Sequence, residues 1–273
     1  MENESEIKYL QDKAREIRRL VLRMVTKAEA SHIGSAFSIV DILVALYHRV
    51  LRINPDNYKD KQRDKFILSK GHACAALYAV LAQRNFFAGK LLDNYCLDGS
   101  CLPGHVTLNC VPGVEASTGS LGHGLPIAAG LALADIYDKN NFKTYVLLGD
   151  GECNEGAVWE AAMFAAKYKL DNLAVIVDFN GWQAFGRTAE VTGLLPLKEK
   201  WESFGFAVAE VNGHNFDELK NVFSKIPLEA GKPSVVIAHT IKGKGVSFME
   251  DKLEWHYKSP NEEEYRQAMK ELS

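Results

Sequence analysis

Gly149-Asp150-Gly151 closes one apolar run, and Asn180 closes another thirty residues later. That interval is the length of one strand–helix–strand unit, so Asp150 and Asn180 should project from the ends of neighbouring parallel strands into a shared crevice. Two hard oxygen donors there suit Mg²⁺, which takes a few oxygens from protein and leaves the rest to water and a diphosphate. Glycines on either side of Asp150 let the backbone approach phosphate oxygens, and the helix that follows turns its free N–H groups toward the same anion. Taken alone, Gly-Asp-Gly is also an ordinary turn. Its placement between two apolar strands and a helix is what gives it chemical meaning.

Histidines form the second set. They occur in Ser31-His32-Ile33-Gly34-Ser35, Lys70-Gly71-His72, Pro103-Gly104-His105 and Trp255-His256, with a glycine-rich turn at Gly119-Ser120-Leu121-Gly122-His123-Gly124 and a lysine turn at Lys242-Gly243-Lys244. Imidazoles that titrate near neutrality can hydrogen-bond sugar hydroxyls and move protons as carbonyl groups form and break. His48 and His214 stand outside these clusters and read as satisfied structural histidines. Glycine-flanked Lys70 and Lys242 fit either a phosphate contact or an exposed turn.

These residues need a scaffold, and the chain supplies the pattern for one. Apolar positions at three- and four-residue steps predict a helix over residues 5–28, and Ser38 with Asp41 has the form of a capping box opening a second helix that stops before Asn54-Pro55. Short β-rich runs at 143–149, 172–179, 206–211 and 234–240 alternate with helical stretches at 156–169, 196–204 and 216–226. Such alternation predicts an α/β domain whose parallel sheet carries helices on both faces, with ligands beyond the carboxyl ends of the strands. All 273 residues are expected in one domain, and the loop-rich region 86–118 reads as an ordered functional segment.

Composition narrows the field. A formal charge of −3 and the lack of a basic stripe argue against nucleic acid. The charged, helix-periodic N-terminus has neither a signal-peptide core nor a membrane span, so a cytoplasmic location is expected. Five cysteines without a Cys-x-x-Cys pair point to reduced thiols rather than disulfides or zinc.

Together the motifs resemble those of the transketolase family. The Gly-Asp-Gly and Asn180 pair is similar to the thiamine diphosphate motif, and the histidine, glycine and lysine segments follow the family's order from residue 30 to 256. The resemblance implies a thiamine diphosphate-binding fold, with Asp150, Asn180 and the carbonyl of Trp182 holding Mg²⁺. It places Ser35, His72, Gly119, Ser120, Leu121, Asp150, Gly151, Glu155, Asn180, Lys242 and His256 at the cofactor. His32, His105 and His256 would line the sugar, and Glu155 would link active sites across subunits. His123 departs from the family's more usual glutamine. Trp182, Gln183, Phe185 and Arg187 fit either substrate contact or a packed loop.

Only the first domain of a full-length transketolase is covered. The resemblance therefore implies a partner chain that carries the pyrimidine-binding and C-terminal domains, in an α2β2 assembly that transfers a two-carbon ketol unit from a ketose to an aldose, with phosphate, sulfonate or branched-sugar selectivity left open to the partner. Two other readings stand beside it: the α subunit of a 2-oxo acid dehydrogenase, and a cofactor-binding scaffold without catalysis.

Overall fold

The computed structural model describes residues 2–273. The chain opens with α1 (Glu2–Lys27), α2 (Ile33–Ser38) and α3 (Val40–Ala45), and α3 runs into a π-helical turn at Leu46–Val50. Then come β1 (Lys65–Leu68), α4 (Cys74–Gln83), α5 (Gly124–Tyr137), β2 (Thr144–Gly149), α6 (Gly156–Lys167) and β3 (Leu173–Phe179). The short helix α7 (Thr188–Val191) precedes α8 (Leu197–Ser203), β4 (Ala207–Asn212), α9 (Phe216–Ser224), β5 (Ser234–His239) and α10 (Glu262–Glu271).

All strand pairs are parallel, in the order β1-β2-β3-β5-β4. Residues alternate across the pleat, so the sheet divides the apolar core in two. Tyr145, Leu147, Ala174, Ile176 and Val236 pack toward α1 to α4 and α9. Val146, Leu148, Val175, Val177 and Ile237 pack toward α5, α6 and α8. This is the expected parallel sheet with helices on both faces, and strands β2 to β5 fall within a residue or two of the expected runs.

The sequence reading missed β1. At four residues, Lys-Phe-Ile-Leu, it is too short to show a period, and it is identified by its pairing with β2. The expected capping box also fails. Ser38 ends α2 instead of opening a helix, and its hydroxyl donates to Ser35 O and to Asp178. Asp41 is drawn into a buried pair, accepting from Arg18 at 2.7 Å and facing His214 Nδ1 at 2.6 Å, so no carboxylate is left to cap a helix. That same contact, with Ile241 N donating to His214 Nε2, makes His214 the satisfied structural histidine it was read as.

The loop-rich segment is ordered by its own contacts. A 3₁₀ turn spans Gly89–Asn94, Thr118 Oγ1 donates to Leu68 O, and Tyr78 Oη donates to His105 O. All five cysteines are free thiols. Among the described residues, no helix is long and apolar enough to cross a membrane.

Candidate active site

Beyond the carboxyl ends of β1, β2 and β3 lies a cleft of about 330 Å³. Ser35, Lys70, Gly119, Leu121, Asp150, Gly151, Asn180 and Trp182 line it, and so do all four motif histidines. The loops following β1, β2 and β3 bring in Lys70 and His72, Asp150 and Gly151, and Asn180 and Trp182. The remaining residues arrive on the turns around His32, His105, Gly119 and His256. Glu155 stands at the exposed rim, where it opens α6 without a side-chain cap. Ser120 is exposed and lies outside the lining, and His123 is exposed with Nδ1 against Leu121 O.

Asp150 is 1 % exposed. Oδ1 accepts from Gly151 N at 2.9 Å, and Oδ2 accepts from Gly181 N at 2.9 Å and Thr188 Oγ1 at 2.7 Å. All three donors are neutral, and burial pushes the carboxyl up to about 6. A buried carboxylate bonded only to neutral donors is a fitting ligand for a cation.

Asn180 is oriented from below. Its Nδ2 donates to Asp178 at 2.9 Å, which leaves Oδ1 to accept from Trp182 N at 3.0 Å. Asp178 is fully buried and accepts as well from Lys70 Nζ at 2.6 Å, from Ser38 and from Thr240. Burial alone would raise its pKa, but Lys70 and these donors hold it below the usual range. Sequence reasoning passed over Asp178, although a lone charge inside an apolar strand was a usable signal.

Lys70 and Lys242 are each 1 % exposed, which removes the exposed-turn reading for both. Lys70 is committed to Asp178 and Ser35 O. Lys242 Nζ lies 2.7 Å from His256 Nδ1, one layer behind the cleft lining, and burial together with Lys70 lowers it to about 8.

The histidines are mutual neighbours. Ring centroids of His32 lie 5.0 Å from His72, 5.1 Å from His256 and 6.1 Å from His105. His32 holds a left-handed backbone (φ 72) at the start of α2, and its N–H donates to His256 O at 2.9 Å. Left-handed φ is uncommon outside glycine, and here it turns the ring into the cluster. Burial lowers His32 to about 4, aided by His105, Lys242 and Lys70, and lowers His256 to about 3, aided by Lys242 and His32. His72 is held well below its ordinary value, again chiefly by burial. These three imidazoles are neutral at neutral pH, so each can both donate and accept a hydrogen bond.

Trp182, Gln183, Phe185 and Arg187 belong to a small hairpin over the Gly-Asp-Gly turn. Trp182 and Arg187 bridge its arms, and Arg187 stacks on the indole at 3.8 Å and pairs with Asp251 at 2.6 and 2.7 Å. The first three line the cleft while Arg187 fastens the hairpin from outside.

A parallel sheet whose strand ends present a carboxylate beside an amide, glycine turns and clustered imidazoles defines an α/β domain with a polar ligand cleft at its strand ends. The family model for "Transketolase, thiamine diphosphate binding domain" matches residues 10–273, so the chain belongs to the transketolase family. It is 44% identical over 256 residues to a subunit of the apulose-4-phosphate transketolase of Phocaeicola vulgatus, spanning 94% of this chain and 91% of that one. It is 42% identical over 263 residues to 6-deoxy-6-sulfo-D-fructose transketolase subunit SqwG of a Clostridium species, spanning 96% of each. Transketolase from Campylobacter jejuni superposes with a TM-score of 0.90 at 32% identity, over 97% of this chain and 43% of that one.

Proposed function

We propose that this chain is the cofactor-diphosphate half of a two-chain transketolase, which moves a two-carbon ketol unit from a ketose phosphate to an aldose with thiamine diphosphate and Mg²⁺. One observation carries the reading: the imidazoles of His32, His72, His105 and His256 share a single cleft with Asp150 and Asn180. The Asp150 and Asn180 side chains and the Trp182 carbonyl would hold Mg²⁺. Ser35, His72, the turn from Gly119 through Ser120 to Leu121, Gly151, Lys242 and His256 would serve the cofactor. Of these, Lys242 acts from behind His256, and Ser120 is exposed outside the cleft lining.

Bound thiamine diphosphate supplies an acidic ring carbon that is the nucleophile toward the ketose carbonyl. The protein's part is to anchor the diphosphate and to handle protons at the sugar. Neutral His32 can accept a proton from a donor hydroxyl as that oxygen becomes a carbonyl and give it to the acceptor's carbonyl oxygen as that becomes a hydroxyl, which an imidazolium could not do, and His105 lies beside it to hydrogen-bond the sugar. Glu155, exposed at the rim, is free to meet a neighbouring chain.

A second chain would supply the rest of the site. Two relatives of nearly equal length that are themselves named as transketolase subunits, and a match to about two fifths of a full-length transketolase, support this. Ile136, Tyr137, Met163 and Tyr168 on and beside α5 and α6 are exposed apolar side chains of the kind that partner chains cover, which supports a covering partner, in an assembly we take to be α2β2 by analogy with the family.

The test is to isolate the tagged chain from its native cell and assay the eluate for ketol transfer with thiamine diphosphate and Mg²⁺. A co-purifying chain together with transfer activity is expected. A lone chain that binds no cofactor would overturn the reading in favour of a non-catalytic scaffold.

A further inference from the structure

Glu152 follows the Gly-Asp-Gly turn, yet its side chain points away from solvent and is only 2 % exposed. Oε1 accepts from Gly122 N at 2.8 Å and from the Ser69 hydroxyl, and Oε2 accepts from Gly149 N at 3.1 Å. Ser69 Oγ accepts in turn from Gly124 N at 3.1 Å. No ammonium or guanidinium bonds this carboxylate among the described residues. Burying a charge on neutral donors alone is costly, so its retention calls for a reason.

The three segments it joins suggest one. Ser69 leads into Lys70 and His72, Gly122 ends the turn that presents Gly119 and Leu121, and Gly149 leads into Asp150 and Gly151; all of these line the cleft except the joining residues Ser69 and Gly122. The packing at this junction has no slack. A Cβ on Gly124 would lie 2.3 Å from Ser69 Oγ, and a Cβ on Gly122, whose φ is +82, would lie 2.7 Å from Glu155 Cβ. Only glycine fits at either place, and the carboxylate fixes where the turn sits.

We propose that Glu152 is a positioning residue for the cofactor: one carboxylate fastens the 119–124 turn to the strand ends before and after it, and so holds the diphosphate cradle in its binding shape before ligand arrives. This rests on the reading of the cleft as a thiamine diphosphate site. The sequence directs attention to Glu155, three residues on, because Glu155 matches a family position. Glu152 carries no such mark and is found only from its partners.

The experiment uses the chain assembled with its partner. Glu152→Gln keeps the shape but replaces one acceptor with an amide that meets an N–H or O–H head-on. Ser69→Ala removes a single strut and serves as the milder variant should Glu152→Gln fail to fold. Calorimetric titration with thiamine diphosphate and Mg²⁺ should show Kd raised about 10-fold or more for Glu152→Gln, the loss of one to two charge-assisted hydrogen bonds, and less for Ser69→Ala. The sugar KM at saturating cofactor should stay within about 2-fold, while Gly122 N–H exchanges faster in the ligand-free variants.

A merely structural role would lower the melting temperature without moving Kd. Unchanged Kd in a folded variant, or equal losses in Kd and sugar KM, would overturn the assignment. Failure of the unmodified complex to bind cofactor would instead remove the reading on which it rests.

Discussion

Replacing Asp150 with Asn separates the architecture of the site from its charge. The side chain keeps its size, and its remaining oxygen can still accept from Gly181 N and Thr188 Oγ1, so one of three hydrogen bonds is lost. That loss costs about 1 kcal/mol, and removing a buried charge that no cation balances offsets part of it. Without ligand, the Asp150→Asn complex should therefore melt within ~3 °C of the unmodified one, at ~2–4 °C per kcal/mol for a chain of this size.

With ligand the two proteins should diverge. At a concentration 100 times Kd, thiamine diphosphate with Mg²⁺ adds about 2.7 kcal/mol to the unmodified complex. By the same scaling this is a rise of roughly 5–10 °C. Asn in place of Asp removes the anionic ligand that draws the metal, so the variant should rise by less than ~2 °C. Differential scanning calorimetry of both complexes, with and without Mg²⁺, measures all four values. A wild-type rise in the variant would refute the metal assignment, and a ligand-free variant that unfolds far below the parent would show Asp150 to be a structural anchor instead.

Four further outcomes are expected. His105→Ala should leave the Kd for thiamine diphosphate within about 2-fold and lower kcat by about 10²-fold or more, as single-turnover kinetics on the assembled enzyme would show. Asp178→Asn strands the Lys70 ammonium in a dry interior and should cost about 3–5 kcal/mol in urea unfolding, with the double change Lys70→Met and Asp178→Asn recovering much of it. His32 and His256 have folded pKa values of about 4 and about 3, below the ordinary 6.5. The unfolded chain thus binds protons that the folded one refuses, and the stability these groups contribute is complete above pH ~6.5 and falls as pH drops toward ~4. Denaturant midpoints at a series of pH values should show the fall, and His256→Gln should make it shallower. Met163→Lys with Tyr137→Lys should leave the fold intact and prevent assembly with the partner, which gel filtration would report.

The sequence made the lining of the cleft more legible than its supports. Asp150 and Asn180 could be read because both close long apolar runs, and the strand ends are where the fold must present them. The histidines could be read because glycines flank them at short, repeated spacings. Glu152 was not legible, and Asp178 showed only as a lone charge in an apolar strand, since the role of a buried carboxylate is defined by partners far away in the chain: Ser69 and Gly122 for one, Ser38, Lys70 and Thr240 for the other. Ser38 and Asp41 show the opposite error. Their spacing met a local rule for helix starts, but tertiary partners claimed both side chains. β1 escaped because four residues carry no period, and only β2 gives it a register.

Helices α5 and α6 have a consequence for the life of the chain outside its assembly. Tyr137 is 73% exposed and Met163 56%, on a face that water covers poorly. Synthesis without the partner leaves this face to find copies of itself or a chaperone. In the proposed assembly the partner covers this face, so the usable amount of the protein would be set by the partner's supply, and two genes expressed in step would be worth more to the cell than either expressed in excess.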